Sequence, residues 1–170
     1  MKMGRSMACV AAAVTAAAAL ATAPALAAAA GPAATPSGQG QAFIGPKDVQ
    51  WGPAPPSLPA GAQIAVLKGN PGKPGPFVVR LMMPGGYKIS PHWHSQDEYL
   101  TVISGTMYVG MGDHYEPSTA RGLAAGGFHY LPAKAHHFAY AKKPTVVQIN
   151  GDGPFDITYL NPADDPQKQK

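Results

Sequence analysis

His92 and His94 stand one residue apart, and Glu98 follows four residues after the second, within GGYKISPHWHSQDEYLTVISG, Gly85 to Gly105. In an extended segment side chains alternate faces, so the two imidazoles point the same way. Two imidazoles and a carboxylate suit a first-row transition metal. The nitrogens favour Fe, Ni, Cu or Zn, and the oxygen extends the range toward Mn. A third histidine has to come from elsewhere in the chain. The downstream stretch that offers one after a turn signal is Leu131-Pro132-Ala133-Lys134-Ala135-His136-His137. Only one of the adjacent pair His136 and His137 can face inward from an extended segment.

The spacing Gly86, five residues, His92, one, His94, three, Glu98, six, Gly105 resembles the first motif of the cupin superfamily at every defined position. The second cupin motif reads Gly, five residues, Pro, one, Gly, two, His, three, Asn. Gly126, Pro132 and His137 fall in that register, with Lys134 in place of the Gly and Ala141 in place of the Asn. The resemblance covers about Gly75 to Asn150 and is nearest to secreted, single-domain bacterial cupins whose function is not established. It implies an all-β fold, a double-stranded β-helix or jelly-roll barrel, with the metal inside. It selects His137 over His136, which stays the alternative ligand. A left-handed turn at Lys134 costs more than one at glycine, so the loop before His137 is expected to differ slightly from the family's.

The segments that position these residues read as short apolar or alternating runs separated by Gly, Pro, Asn and Asp, an all-β signature. Expected strands are Val49–Trp51 at an edge, then Ala62–Lys68, Phe77–Met83, Tyr87–His94, Glu98–Ser104 and Thr106–Met111. After a polar loop over Gly112–Gly122 come Phe128–Leu131, His137–Ala141, Thr145–Asn150 and Phe155–Tyr159. No stretch keeps a helical period.

Residues 1–27 read as a signal peptide. Lys2 and Arg5 precede an Ala-rich apolar stretch, and Ala25-Leu26-Ala27 has the small-any-small pattern of a cleavage site. Export to the periplasm or the medium follows, with no lasting membrane anchor. Residues 28–41, rich in Ala, Gly, Pro and Ser, read as a disordered leader, residues 42–165 as the cupin domain and residues 166–170 as a flexible tail. Cys9 is the one cysteine and leaves with the signal, so neither a disulfide nor a thiol nucleophile contributes. Lys2 and Arg5 leave with it too, so thirteen basic residues become eleven against nine acidic ones, a net charge of +2. So small a charge argues against nucleic acid as a partner.

Four ligands leave one or two positions on the ion for water, substrate or dioxygen, as a catalytic site requires. The leading reading is a metal-dependent enzyme, dioxygenase-like, acting on a small molecule with one divalent transition metal: Fe first, then Mn, Zn, Ni or Cu. A metal-loaded binding or sensing module is the alternative. Arg80, Tyr130 and Gln148 are candidates for the substrate pocket. His129 and Tyr130 fall on opposite faces of their strand, so one of them faces the barrel interior. The resemblance also makes a homodimer plausible, with the edge at Val49–Trp51 as its first candidate surface.

Overall fold

A computed structural model describes residues 41–169. The expected signal peptide, residues 1–27, and, but for Gln41, the expected leader, residues 28–41, lie outside the described residues. From Ala42 onward the chain forms one unit of two facing antiparallel sheets. The larger holds six strands in the order β1 (Gly52–Pro53), β2 (Gln63–Lys68), β3 (Gly75–Met83), β10 (Thr145–Gly153), β5 (Glu98–Ser104) and β8 (Phe128–Leu131). The smaller holds five in the order β11 (Thr158–Tyr159), β4 (Tyr87–Trp93), β9 (His137–Ala141), β6 (Thr106–Met111) and β7 (Arg121–Ala124). This is the expected all-β jelly roll.

Alternation builds the core. Along β3, Phe77, Val79, Leu81 and Met83 are buried while Val78, Arg80 and Met82 lie on the other face. Along β10, Val147 and Ile149 point in, and along β5 so do Leu100 and Val102. These meet Ile89, Met107, Val109 and Ala139 of the smaller sheet in one apolar cluster. Burying each of the larger side chains contributes about 1.5–3 kcal/mol. The β5–β6 corner requires Gly105: its φ is 79°, and a Cβ there would lie 2.6 Å from the Pro144 carbonyl oxygen.

Three segments depart from the expected strand pattern. The first edge strand is the two-residue Gly52–Pro53 rather than Val49–Trp51, and Val49 is buried instead of open along an edge. Pro53, Pro55 and Pro56 have no N–H to continue a ladder. Within the presumed loop 112–122 and just beyond it, a short 3₁₀ turn, Pro117–Thr119, leads into β7. This edge strand has one large apolar residue, Leu123, too few to show alternation. The last strand is only Thr158–Tyr159, because residues 155–157 are drawn off the sheet to lie against the histidines. In the tail, Lys168 pairs with Asp165 and the Gln169 side chain donates to the Ala163 carbonyl, so the described part of it is turned back on the domain.

Candidate metal centre

A bulge in β4 decides which way the histidines face. Tyr87 and Ile89 point into the core, so strict alternation would send His92 and His94 outward. Between Ile89 and His92 the register against β9 shifts: three residues advance on β4 while two, Ala139 to His137, advance on its partner. The extra residue falls at Ser90–Pro91, where proline lacks the N–H a regular ladder needs. Parity therefore switches, and both the apolar pair and the histidine pair face inward. His92 then lies directly across from His137, with ring centroids 4.1 Å apart.

Glu98 completes the site from the opposite sheet, as the first residue of β5. Its Oε2 is 3.5 Å from His94 Nε2 and 3.7 Å from His137 Nε2. Ligand atoms of His92, His94 and His137 all lie within 4.8 Å of one another. Each imidazole is fixed from behind: Nδ1 of His92 donates to the Ser90 carbonyl, that of His94 to the Asp156 carbonyl and that of His137 to the Ala135 carbonyl. A carbonyl only accepts, so each Nδ1 carries the proton and, in a neutral ring, each Nε2 presents a bare lone pair. Lone pairs and a carboxylate converge with no donor between them, an arrangement a cation resolves. Backbone-anchored Nδ1–H groups are also the usual outer support of metal-bound histidines. The residues present therefore fit a divalent metal.

Burial keeps His92 and His137 neutral. It lowers the pKa of His92 well below the ordinary value, helped by the neighbouring His137 and His94, and brings His137 down to about 4. Burial raises Glu98 above the usual carboxylate range, and His94 opposes that rise. The stability of the metal-free protein should show this. Between about 6.5 and about 4 the unfolded chain takes up protons that folded His137 refuses, so the folded state loses stability as pH falls through that window. Glu98 acts in the opposite direction, so Glu98→Gln isolates the effect. Metal-stripped Glu98→Gln is expected to melt at progressively lower temperature as pH falls across that window. A flat profile there would show that His137 is not held neutral.

Two elements tie down the neighbourhood. Lys134 takes the left-handed conformation that glycine holds in the family motif, with φ 66°, at a cost of about 1 kcal/mol. Its N–H donates to the His94 carbonyl over 2.8 Å, joining the two motif loops. Phe155 stacks on His94 with centroids 4.4 Å apart, and the Asp156 carboxylate accepts from both the N–H and the hydroxyl of Ser95. Sequence reading missed both of these site residues. The Asp156 contact to His94 is made by a backbone carbonyl, which every residue has and no motif records.

A small chamber of about 110 Å³ adjoins His94 and Glu98, walled by Leu58, Val79, Leu81, Ile149, Phe155 and Ile157. None of the three pocket candidates from the sequence reaches it. Arg80 and Gln148 are cross-strand partners on the outer face of the six-stranded sheet, where Arg80 Nε donates to Gln148 Oε1. The inward places on those strands belong to Val79, Leu81, Val147 and Ile149. Tyr130 is exposed and donates its hydroxyl to Asp97, while its neighbour His129 turns inward. His136 also faces away from the histidine cluster, its Nδ1 2.7 Å from Asp113 Oδ1, because alternation lets only His137 turn inward.

The cupin-domain pattern matches residues 78–149, which carry His92, His94, Glu98 and His137. Residues 78–149 are a cupin domain. No functionally characterised protein is significantly similar to this cupin in sequence. Among solved structures it resembles a protein of Methylibium petroleiphilum provisionally named an acetylacetone dioxygenase, with 20% identity, TM-score 0.57, and 74% of this chain and 85% of that one covered. It also resembles the polyketide cyclase RemF of Streptomyces resistomycificus, with 14% identity, TM-score 0.56, and coverage of 74% and 89%. An RmlC-like cupin of Shewanella frigidimarina shares 15% identity at TM-score 0.51, with 66% and 90% covered. At these identities the likeness concerns the fold.

Proposed function

We propose that this cupin is an exported, metal-dependent oxygenase acting on a small organic molecule, with one divalent transition metal held by His92, His94, Glu98 and His137. The observation that carries the reading is the convergence of buried histidine nitrogens and a carboxylate, with no intervening donor, beside an apolar chamber. Iron is the first choice, ahead of Mn, Zn, Ni and Cu, because a mixed nitrogen and oxygen donor set suits it. When bound, iron(II) supplies the capacity to bind and activate dioxygen beside a substrate. The chain's own contribution is positional. The three Nδ1–H groups hold the imidazoles in one orientation, Glu98 offsets one positive charge, and the walls around Leu81, Ile149 and Phe155 keep water away from the reacting atoms. The signal-peptide pattern of residues 1–27 supports export to the periplasm or the medium, and the modest charge supports a small-molecule partner rather than nucleic acid.

The provisional name of the Methylibium protein agrees with this reading. RemF is a cyclase, so the fold alone does not choose the reaction. One observation favours a metal-loaded binding module instead. Apart from the ligands, the ionisable side chain at the chamber is Asp156, and it is already committed to Ser95. Oxygen uptake by the iron-loaded protein, over a panel of β-diketones and aryl carboxylic acids, separates the two. Substrate-dependent uptake of one O2 per substrate consumed is expected. Full iron content with no uptake across the panel would leave the binding module as the better account.

A further inference from the structure

A second cavity, of about 410 Å³, opens where the two sheets part at their far edges. That volume lies within the roughly 300–1,000 Å³ of small-molecule sites. Cross-strand partners share a face, and this places the lining residues. Arg121 of β7 lies opposite the buried Val109, so it stands on the inward face of the five-stranded sheet. His129 of β8 lies opposite the buried Leu100, on the inward face of the six-stranded sheet. The two edge strands thus aim a guanidinium and an imidazole into one gap, with Val109, Met111, Leu123 and Phe128 as its apolar lining.

Both polar groups are uncommitted. Among the described residues, His129 Nε2 is the buried side-chain nitrogen or oxygen left with no hydrogen-bond partner. A buried polar atom of that kind destabilises the fold unless something binds it. Arg121 forms no ion pair with a described carboxylate. One residue of its lining neighbours the histidine cluster. Met111 lies directly across from His137. Leu100, the partner of His129, is two residues along β5 from Glu98, about 7 Å.

We propose that this cavity binds a small carboxylic acid, with the carboxylate held by the Arg121 guanidinium and by a hydrogen bond from His129 Nε2. The apolar body lies on Val109, Leu123 and Phe128, and the end nearest Met111 is turned toward His137. The binding does not need the metal, so the inference stands apart from the oxygenase reading. A carboxylate only accepts, so His129 binds it with the proton on Nε2. Arg121 supplies the planar pair of donors that matches two carboxylate oxygens.

Titration of the protein with benzoate and, separately, with its neutral analogue benzamide tests this, followed calorimetrically with the metal bound and after stripping. Benzoate is expected to bind, with benzamide weaker by about tenfold or more. Arg121→Met and His129→Phe should each weaken benzoate by about tenfold to a hundredfold, while His129→Gln, which keeps a donor, stays within a few fold of the parent. Arg121 is exposed on an edge strand, so its variant tests the proposal even if the His129 variants fold poorly. No benzoate binding, equal binding of benzamide, or an Arg121→Met protein that binds as the parent does would overturn the inference. So would complete loss of binding on stripping, which would put the carboxylate on the metal. Metal content, read on the same samples, keeps the two ideas apart: Arg121-dependent binding in a protein that takes up no metal refutes the oxygenase alone.

Discussion

His94→Ala is expected to lose its metal while keeping its barrel. His94 is one of the four proposed ligands, its Nε2 3.5 Å from Glu98 Oε2 and its Nδ1 anchored to the Asp156 carbonyl. Altering only the outer partner of a metal-bound histidine commonly costs about 10–100-fold in affinity, so deleting the imidazole should cost at least that much. The substitution also removes the surface on which Phe155 stacks. His94 lies just past the end of β4 and outside the apolar cluster between the sheets, so the far-ultraviolet circular dichroism should match the parent. Elemental analysis of the purified variant makes the comparison. His136→Ala is the control and should keep its metal, since His136 pairs with Asp113 at the surface. If His136→Ala lost the ion and His137→Ala kept it, the assignment of the second motif would be wrong.

Phe77→Ala is expected to produce the largest loss of stability. Phe77 is 1% exposed in the centre of the core, and its ring lies 5.2 Å from that of Phe155. Truncating a buried phenylalanine to alanine costs about 3–5 kcal/mol through lost burial and the cavity left behind. Small domains have about 5–15 kcal/mol in total, so the denaturant midpoint should move far down. Phe155 stacks on His94, so the same change loosens the support of a ligand and should weaken metal binding as well. A midpoint within error of the parent would mean that the site can collapse around the void, or that Phe77 is not the core residue its burial indicates.

The proposed ligands are legible because their chemistry depends on residue type and spacing. No common apolar pattern places His, His and Glu at those intervals, and alternation alone eliminates His136 once His137 faces inward. The strands were legible wherever alternation was strong, as at Glu98–Ser104, Thr106–Met111, Phe128–Leu131 and His137–Ala141. Arg80 shows where the pattern fails. Phe77, Val79 and Leu81 alternate with Val78 and Met82, so both faces of that strand are apolar and the sequence does not say which face Arg80 shares. The bulge at Ser90–Pro91 was hidden for a related reason, since it changes the parity of a strand without changing its composition. Arg121 and His129 carry no motif, and only pairing across β6–β7 and β5–β8 brings them to one cavity. Phe155 and Asp156 act through a ring stack and a backbone carbonyl, contacts that exist only after folding.

The central claim is that His92, His94, Glu98 and His137 hold one metal ion. Elemental analysis of the protein tests it most directly, on material purified from its own compartment without a tag that could carry metal. About one equivalent of a first-row transition metal per chain is the expected result. A protein that arrives without metal, and takes up neither Fe, Mn, Ni, Cu nor Zn from solution, would contradict it.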